Sequence, residues 1–183
     1  NGPGLSATAD YDSHKDFIGR IALKPYPVSK KITISMAASI LDGGILQNTK
    51  YIYRTVTVAS QKMFLIDSAA VNKGKIAPRK YYEADAQIKL KHAWGYTELR
   101  GEFIFGKQAA SENTSETPGA LLVNNDGYYI RKFNGAYFYL LQHIVNTHHQ
   151  LGIKYDWYDP NTNVKGTEIK LNDRNGALTY LSP

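Results

Sequence analysis

Residues 81–91 read Tyr-Tyr-Glu-Ala-Asp-Ala-Gln-Ile-Lys-Leu-Lys, and this stretch decides the fold class. Its even-numbered positions are aromatic or apolar, whereas its odd-numbered positions after Tyr81 are charged or polar. Strict alternation places successive side chains on opposite faces of a β-strand. The stretch therefore predicts a strand with one apolar face and one charged face.

The same alternation recurs on both sides of this stretch. It is found in residues 16–24, 32–40, 96–106 and 150–158. Residues 129–145 are also strand-like, but they are apolar on both faces, so their register stays undecided. No segment has convincing helical periodicity. The sequence thus predicts an all-β protein with about six antiparallel strands.

The connections between these strands alternate in length. Short turns are predicted around 25–27, 92–95 and 146–148, and long loops at about 42–78, 107–128 and 159–175. In an antiparallel meander every second connection lies at the same end, so all short turns share one end. This asymmetry is typical of a transmembrane β-barrel, and strands of nine or more residues can cross a bilayer when tilted.

A soluble antiparallel barrel or sandwich would also alternate, with its apolar face turned inward. Two features favour the membrane barrel. The polar faces carry full charges of both signs, which suits a wet lumen, and aromatic residues gather near the predicted strand ends, as at a membrane interface. These aromatic residues are Tyr26, Tyr81, Tyr82, Trp94, Tyr96, Tyr155, Trp157 and Tyr158.

Composition narrows the class further. The 183 residues are enough for one domain, and 14 of them are Tyr. The chain has no Cys, which excludes disulfides and thiolate metal sites, and it has no apolar run long enough for a transmembrane helix. The polar start at Asn1 lacks the features of a signal peptide.

Several motifs resemble one family of bacterial membrane proteins. They are Asp16-Phe17-Ile18-Gly19-Arg20, Ala77-Pro78-Arg79-Lys80-Tyr81-Tyr82, residues 94–102, residues 133–138 and residues 149–162 with Lys154-Tyr155-Asp156-Trp157-Tyr158-Asp159-Pro160-Asn161. Together they resemble the Bacteroidota branch of the phosphate-selective porin O/P family. The resemblance implies an outer-membrane porin, usually a homotrimer, with about 16 strands per chain.

Six strands cannot close a barrel that spans a membrane, because the smallest single-chain barrels have eight. We therefore expect residues 1–183 to be a partial porin domain, about six strands of a larger barrel. The alternative is closure by several short chains.

The charged faces supply the candidate pore-lining residues. The bases are Arg20, Lys24, Lys89, Lys91, Arg100 and Lys154, and the acids are Glu83, Asp85, Glu98, Glu102 and Asp156, with Asp16 as a sixth. Because the two signs balance, ion pairs that brace the barrel are expected on this wall.

The surplus of positive charge lies in residues 42–80. This segment has seven bases and two acids, a balance of +5. If it folds into the pore, its field would attract anions; the alternative is a solvated surface loop. The candidate anion-attracting residues are Lys73, Lys75, Arg79 and Lys80.

The predicted function is a channel for small hydrophilic solutes with a bias towards anions, phosphate being one candidate. The expected partners are outer-membrane lipid, the solutes and further copies of the chain. The alternative is a β-barrel or β-sandwich that binds a carbohydrate or a protein. The sequence lacks the common catalytic and nucleotide-binding motifs, so no enzyme and no cofactor are predicted.

Metal and nucleic-acid binding are not predicted. The Asp159–Asn163 stretch begins like a calcium loop, but Val164 and Lys170 replace the glycine and glutamate that an EF-hand requires. His143, His148 and His149 lack an evident further ligand. Bases alternate with acids on the same strands, which would repel a phosphate backbone.

Overall fold

The computed structural model describes residues 14–112, 114–123 and 126–165. These residues form β-strands and one short 3₁₀ turn, Ala70–Asn72, and they include no helix able to cross a membrane. The strands are β1 Phe17–Pro27, β2 Ile32–Leu46, β3 Ile52–Val58, β4 Gln61–Asp67, β5 Ile76–His92, β6 Gly95–Ala110, β7 Tyr128–His143 and β8 Gln150–Asp159.

Six of these strands form the predicted antiparallel meander. Their order in the sheet is β1-β2-β5-β6-β7-β8, and each neighbouring pair is antiparallel. The short turns after β1, β5 and β7 therefore lie at one end of the sheet, and the long connections after β2 and β6 lie at the other. The prediction of an all-β, mostly up-and-down antiparallel fold is confirmed.

The predicted count of six strands is wrong, because the 42–78 connection contains a further hairpin. β3 and β4 pair through all seven residues of each strand, and their turn at Ala59 and Ser60 has positive φ at both positions. Such φ values are those of tight two-residue hairpin turns. β3 then runs parallel to β7, pairing residues 52–54 with residues 128–130.

The hairpin and β8 pair with the same edge of β7. β8 pairs with β7 only from Asn134 to His143, so the β3 contact uses the part of the same β7 edge that lies nearer the long loops. Within the described residues the sheet is open, with β1 at one edge and β4 and β8 at the other. These strands alone therefore do not close into a barrel.

The pairing register defines two faces of the meander. Asp85, Glu102, Tyr137 and Asp156 are linked by successive cross-strand pairs and share the charged face. The neighbouring row contains Ala84, Phe103, Ala136 and Trp157 and belongs to the apolar face. The register of β7 is thus settled: Tyr137 and Tyr139 lie on the charged face, and Phe138 and Leu140 lie on the apolar face.

The buried apolar residues gather near the long connections, which we call the loop end. One cluster contains Ile45, Ala77, Ala109 and Tyr128, and a second contains Tyr53 and Tyr129, whose rings stack with centroids 4.2 Å apart. The hairpin therefore supplies part of the core, and the remainder of the meander is a single layer.

Candidate functional site

The apolar face of the meander is the more exposed of its two faces. Along β5 the side chains of Tyr82, Ala84, Ala86, Ile88 and Leu90 are exposed, whereas the intervening positions 83, 85, 87 and 89 are only partly exposed. A soluble sheet normally has the opposite arrangement, with its apolar side chains turned into a core.

This exposure continues across the neighbouring strands. Ile88 is 49% exposed, Leu99 opposite it on β6 is 52% exposed, and Ile153 on β8 is 53% exposed. Nearer the loop end the rings of Tyr82 and Phe105 stack with centroids 5.5 Å apart. The exposed apolar residues of this face also include Ile21, Leu23, Met36, Leu90, Phe103, Phe138, Leu151, Tyr155 and Trp157.

The charged face is connected by ion pairs that join different strands. The Arg20 guanidinium on β1 lies 3.2 Å from the Glu83 carboxylate and 2.5 Å from that of Asp85, both on β5. It also donates a 2.8 Å hydrogen bond to the Ser39 hydroxyl on β2, the strand between them. One cation thus ties three adjacent strands together.

A second group surrounds Glu98, whose side chain is almost completely buried. Its carboxylate pairs with Arg100 and lies 3.6 Å from the Lys89 ammonium. The same ammonium lies 3.7 Å from the centre of the Tyr96 ring, a favourable cation–π arrangement. Both bases and the acid are among the predicted pore-lining residues, and the structure brings them together.

Of the remaining predicted wall residues, all but Lys91 and Lys24 also contact a side chain of this face in the part of the chain that the structure describes. Lys154 pairs with Asp156 at 2.7 Å, and Glu102 hydrogen-bonds Tyr137. Lys91 lies on the charged face opposite Tyr96, whereas Lys24 lies in the irregular stretch of β1 between Leu23 and Tyr26. Five of the six acids predicted on this wall form ion pairs, and Glu102 contacts a neutral phenol, so most of the negative charge is balanced.

The four predicted loop bases do not form one cluster, and two of them are not in a loop. Arg79 and Lys80 lie in β5 on opposite faces. Arg79 pairs with Asp16 in a buried contact, and Lys80 lies 2.8 Å from Asp42. β5 begins at Ile76, five residues before the predicted strand, so both bases are strand residues.

The other two loop bases lie just before β5. Lys73 is exposed just after the 3₁₀ turn, and Lys75 lines a cavity of about 420 Å³ at the loop end. The cavity is also lined by Arg54, Lys107, Arg131 and Lys132, with Asp67 as its one acidic lining residue in the described structure. Basic residues therefore outnumber acidic ones around this cavity.

The pKa of Asp67 reflects this local environment. It is lowered chiefly by the hydrogen bond that the Ala69 backbone N–H donates to the carboxylate, then by the Asn72 side chain, and to a smaller degree by the nearby charges of Arg54 and Lys75. Asp67 is consequently ionised at neutral pH, and it offsets only one of the positive charges around the cavity.

Arg131 is a buried cation that the sequence did not single out. Its guanidinium donates to the backbone carbonyls of Ser111, Glu112 and Thr114 at 3.2, 2.8 and 2.7 Å. It is fully buried and lies 5.8 Å from the Phe64 ring of the hairpin. Arg131 lies on the charged face of β7. It therefore holds the backbone at Ser111, Glu112 and Thr114 over the loop end of that face.

The undecided register of β7 explains why Arg131 and Lys132 were missed. Their faces can be assigned only from the neighbouring strands, because β7 itself is apolar on both sides. The face of Lys107 could have been predicted from the sequence, because Lys107 continues the alternation of Phe103 and Phe105. Among the described residues, no group of three or more His, Asp or Glu side chains is arranged to hold a metal ion.

Comparisons with known proteins do not assign a function to this arrangement of residues. The chain has no significant match to a protein-family model, to a curated protein or to a solved structure.

Proposed function

We propose that this chain forms part of the wall of a water-filled channel in the bacterial outer membrane, through which small hydrophilic solutes pass. The observation that carries the proposal is the contrast between the two faces of one sheet. The apolar face is broad and exposed, whereas the charged face is polar and joined by ion pairs. A channel wall needs this combination because one side meets lipid and the other meets water.

The size of the apolar face supports a lipid environment. Six strands at a spacing of about 4.8 Å, each with an apolar stretch of about nine residues rising roughly 3.3 Å per residue, cover on the order of 800 Å². Soluble monomers rarely expose contiguous apolar patches larger than about 300–600 Å². Nine residues are also close to the length that a tilted strand needs to cross a bilayer.

A channel of this kind requires more strands than the described sheet contains. Open edges in hydrocarbon leave backbone N–H and C=O groups without partners, at a cost of several kcal/mol each. The edges at β1 and β8 must therefore pair with further strands, either of the same protein or of other copies. The porin resemblance favours a larger barrel assembled into a trimer.

The proposed preference for anions does not follow from the contrast between the two faces. Because the charged face is nearly neutral, its ion pairs brace the wall and do not select for one sign of charge. An anion bias would come from the loop end, where Lys73 and Lys75 contribute to the surplus positive charge of residues 42–80. The proposal that phosphate is the solute is based on the family resemblance. The proposal that the protein is not an enzyme is based on the lack of common catalytic motifs in the sequence.

A second candidate is a module that binds a carbohydrate or a protein on the apolar face. The observation that favours it is an apolar depression of about 400 Å³ lined by Ile88, Gly101, Phe138 and Tyr155 among others. Aromatic rings beside a glycine can form a platform for a sugar ring. In this case the protein would stay in aqueous solution and would bind its ligand there.

Planar bilayers distinguish the two candidates. The purified full-length protein should produce stepwise, ohmic conductance, and its channels should admit ions of both signs. Failure to insert, together with a monodisperse state in detergent-free buffer, would contradict the channel and favour the binding module.

A further inference from the structure

We infer that the loop end of the apolar face binds the phosphate group of a membrane-lipid headgroup, an inference that rests on the proposed lipid contact of this face. The site is centred on Lys80, Lys107 and Lys132, which lie side by side on β5, β6 and β7. Lys107 is directly opposite Lys80 on one side and Lys132 on the other. We call these three residues the lysine row.

The lysine row is electrostatically unfavourable without an anion. Like charges directly opposite one another on adjacent strands destabilise a sheet, since their Cβ atoms are only about 4.5–5.5 Å apart. Asp42 pairs with Lys80 at 2.8 Å. Within the described part of the chain, no carboxylate forms an ion pair with Lys107 or Lys132. A phosphate placed between these two ammonium groups would remove the repulsion.

The cavity beside the row provides space for such a group. Lys107 and Lys132 line it together with Arg54 from β3 and Lys75, and its volume of about 420 Å³ lies within the usual range for small-ligand sites. Arg54 is the cross-strand partner of Ile130, so it points to the same side of the sheet as Lys132. The hairpin thus adds a guanidinium, which can bind phosphate through two hydrogen bonds, to the site formed by the lysines.

The position of the row favours a lipid over a free anion. Lys80 lies two residues before Tyr82 on β5, and Lys107 lies two residues after Phe105 on β6, so both are on the same face as these rings and nearer the loop end. The step is about 6–7 Å. Aromatic residues lie at the membrane interface, so the next row on the lipid side falls at the level of the headgroups. A phosphate in solution would have no reason to prefer this face.

The test uses the detergent-extracted full-length protein and native mass spectrometry. Phosphatidic acid, the matching diacylglycerol and inorganic phosphate are titrated separately. Phosphatidic acid should bind in preference to both other probes. The double variant Lys107→Gln/Lys132→Gln should bind it about 30-fold more weakly, because each lysine near an anionic headgroup contributes about 1 kcal/mol.

Two further variants control for charge and folding. Lys30→Gln/Lys31→Gln removes the same charge from the short-turn end and should leave the binding of phosphatidic acid unchanged. Lys107→Arg/Lys132→Arg keeps the charge and should retain tight binding. Equal affinity of the Gln and Arg variants of the lysine row would overturn the site, and equally tight binding of inorganic phosphate would overturn the lipid assignment.

The outcome also separates this inference from the proposed function. A protein that inserts into phosphatidylcholine bilayers but shows no preference for phosphatidic acid would refute the site and leave the channel intact. A protein that does not insert into any bilayer would refute the lipid-facing assignment on which both depend.

Discussion

Arg20 on β1 reaches over β2 to Asp85 on β5, with 2.5 Å between its Nη2 atom and the carboxylate. The contact joins strands that are not neighbours, so it restrains the curvature of the sheet as well as the pairing of its strands. Such a link is expected where a single layer has no second layer packed against it.

Loss of this link should weaken the sheet. We expect Arg20→Met to lower the urea midpoint of unfolding, because the Glu83 and Asp85 carboxylates then repel each other without a shared cation. Lys24→Met is the matched control, since Lys24 lies in the irregular part of β1. Equal midpoints for both variants would show that the ion pairs contribute nothing to stability, as is common for exposed pairs.

The two faces should respond differently to an added charge. Ile88→Arg should destabilise the membrane-inserted protein by about 2–4 kcal/mol if the side chain lies near the bilayer midplane, whereas Gln87→Arg should change stability little. Unfolding from lipid vesicles by denaturant measures both. A larger loss for Gln87→Arg would reverse the assignment of the faces.

The one-sided connections give a topological prediction. Ala93 lies in the short turn between β5 and β6, and Ser115 lies in the long connection between β6 and β7. Single cysteines at these positions should react with a membrane-impermeant maleimide from opposite sides of the outer membrane, with Ser115→Cys labelled in intact cells. Labelling of both cysteines from outside would contradict the topology.

The backbone at Ser111, Glu112 and Thr114 should depend on Arg131 for its position. We expect Arg131→Met to cost about 1–3 kcal/mol of stability, because three partly buried carbonyls lose their donors. The freed segment should also become more sensitive to proteases and change the single-channel conductance. Arg131→Lys keeps the charge but replaces the two donating nitrogens of the guanidinium with a single ammonium nitrogen, so it should fall between the wild type and Met. Unaltered proteolysis of both variants would exclude this role.

Anion preference, if the channel has it, should depend on loop bases more than on wall bases. Lys73→Gln/Lys75→Gln should shift the reversal potential towards cations, and Lys89→Gln/Lys154→Gln should shift it less. The shift should be largest at low salt, because the Debye length falls from about 10 Å at 0.1 M to 3 Å at 1 M. A salt-independent shift, or a larger one for the wall variant, would remove the loop from the mechanism.

The sequence was sufficient for the meander because alternation is a local property of each strand. Residues 81–91 and 150–158 show both faces directly, and their neighbours follow the same rule. The β3–β4 hairpin was missed because its turn residues, Ala59 and Ser60, are not the Asn-Gly or Asp-Gly pair that signals a two-residue turn. Its contact with Tyr128–Ile130 is parallel and distant in the chain. No local pattern reports such a pairing.

The candidate site was predicted only in part for a related reason. Glu98, Arg100 and Lys89 could be assigned to one face from their own strands, and the structure brings them into contact. The positions of Arg131 and Lys132 depend on the register of β7, which only the pairing with β6 and β8 determines. The pairing of Arg79 with Asp16 likewise depends on where β5 begins.

The central claim is that the apolar face contacts lipid and the charged face contacts water. The most direct test attaches an environment-sensitive fluorophore to single cysteines at Ile88 and Gln87 in the membrane-inserted protein. The account predicts that nitroxide-labelled lipids quench the Ile88 probe strongly and that aqueous iodide quenches the Gln87 probe. The reverse pattern, or iodide quenching of both probes in the absence of lipid quenching, would contradict it.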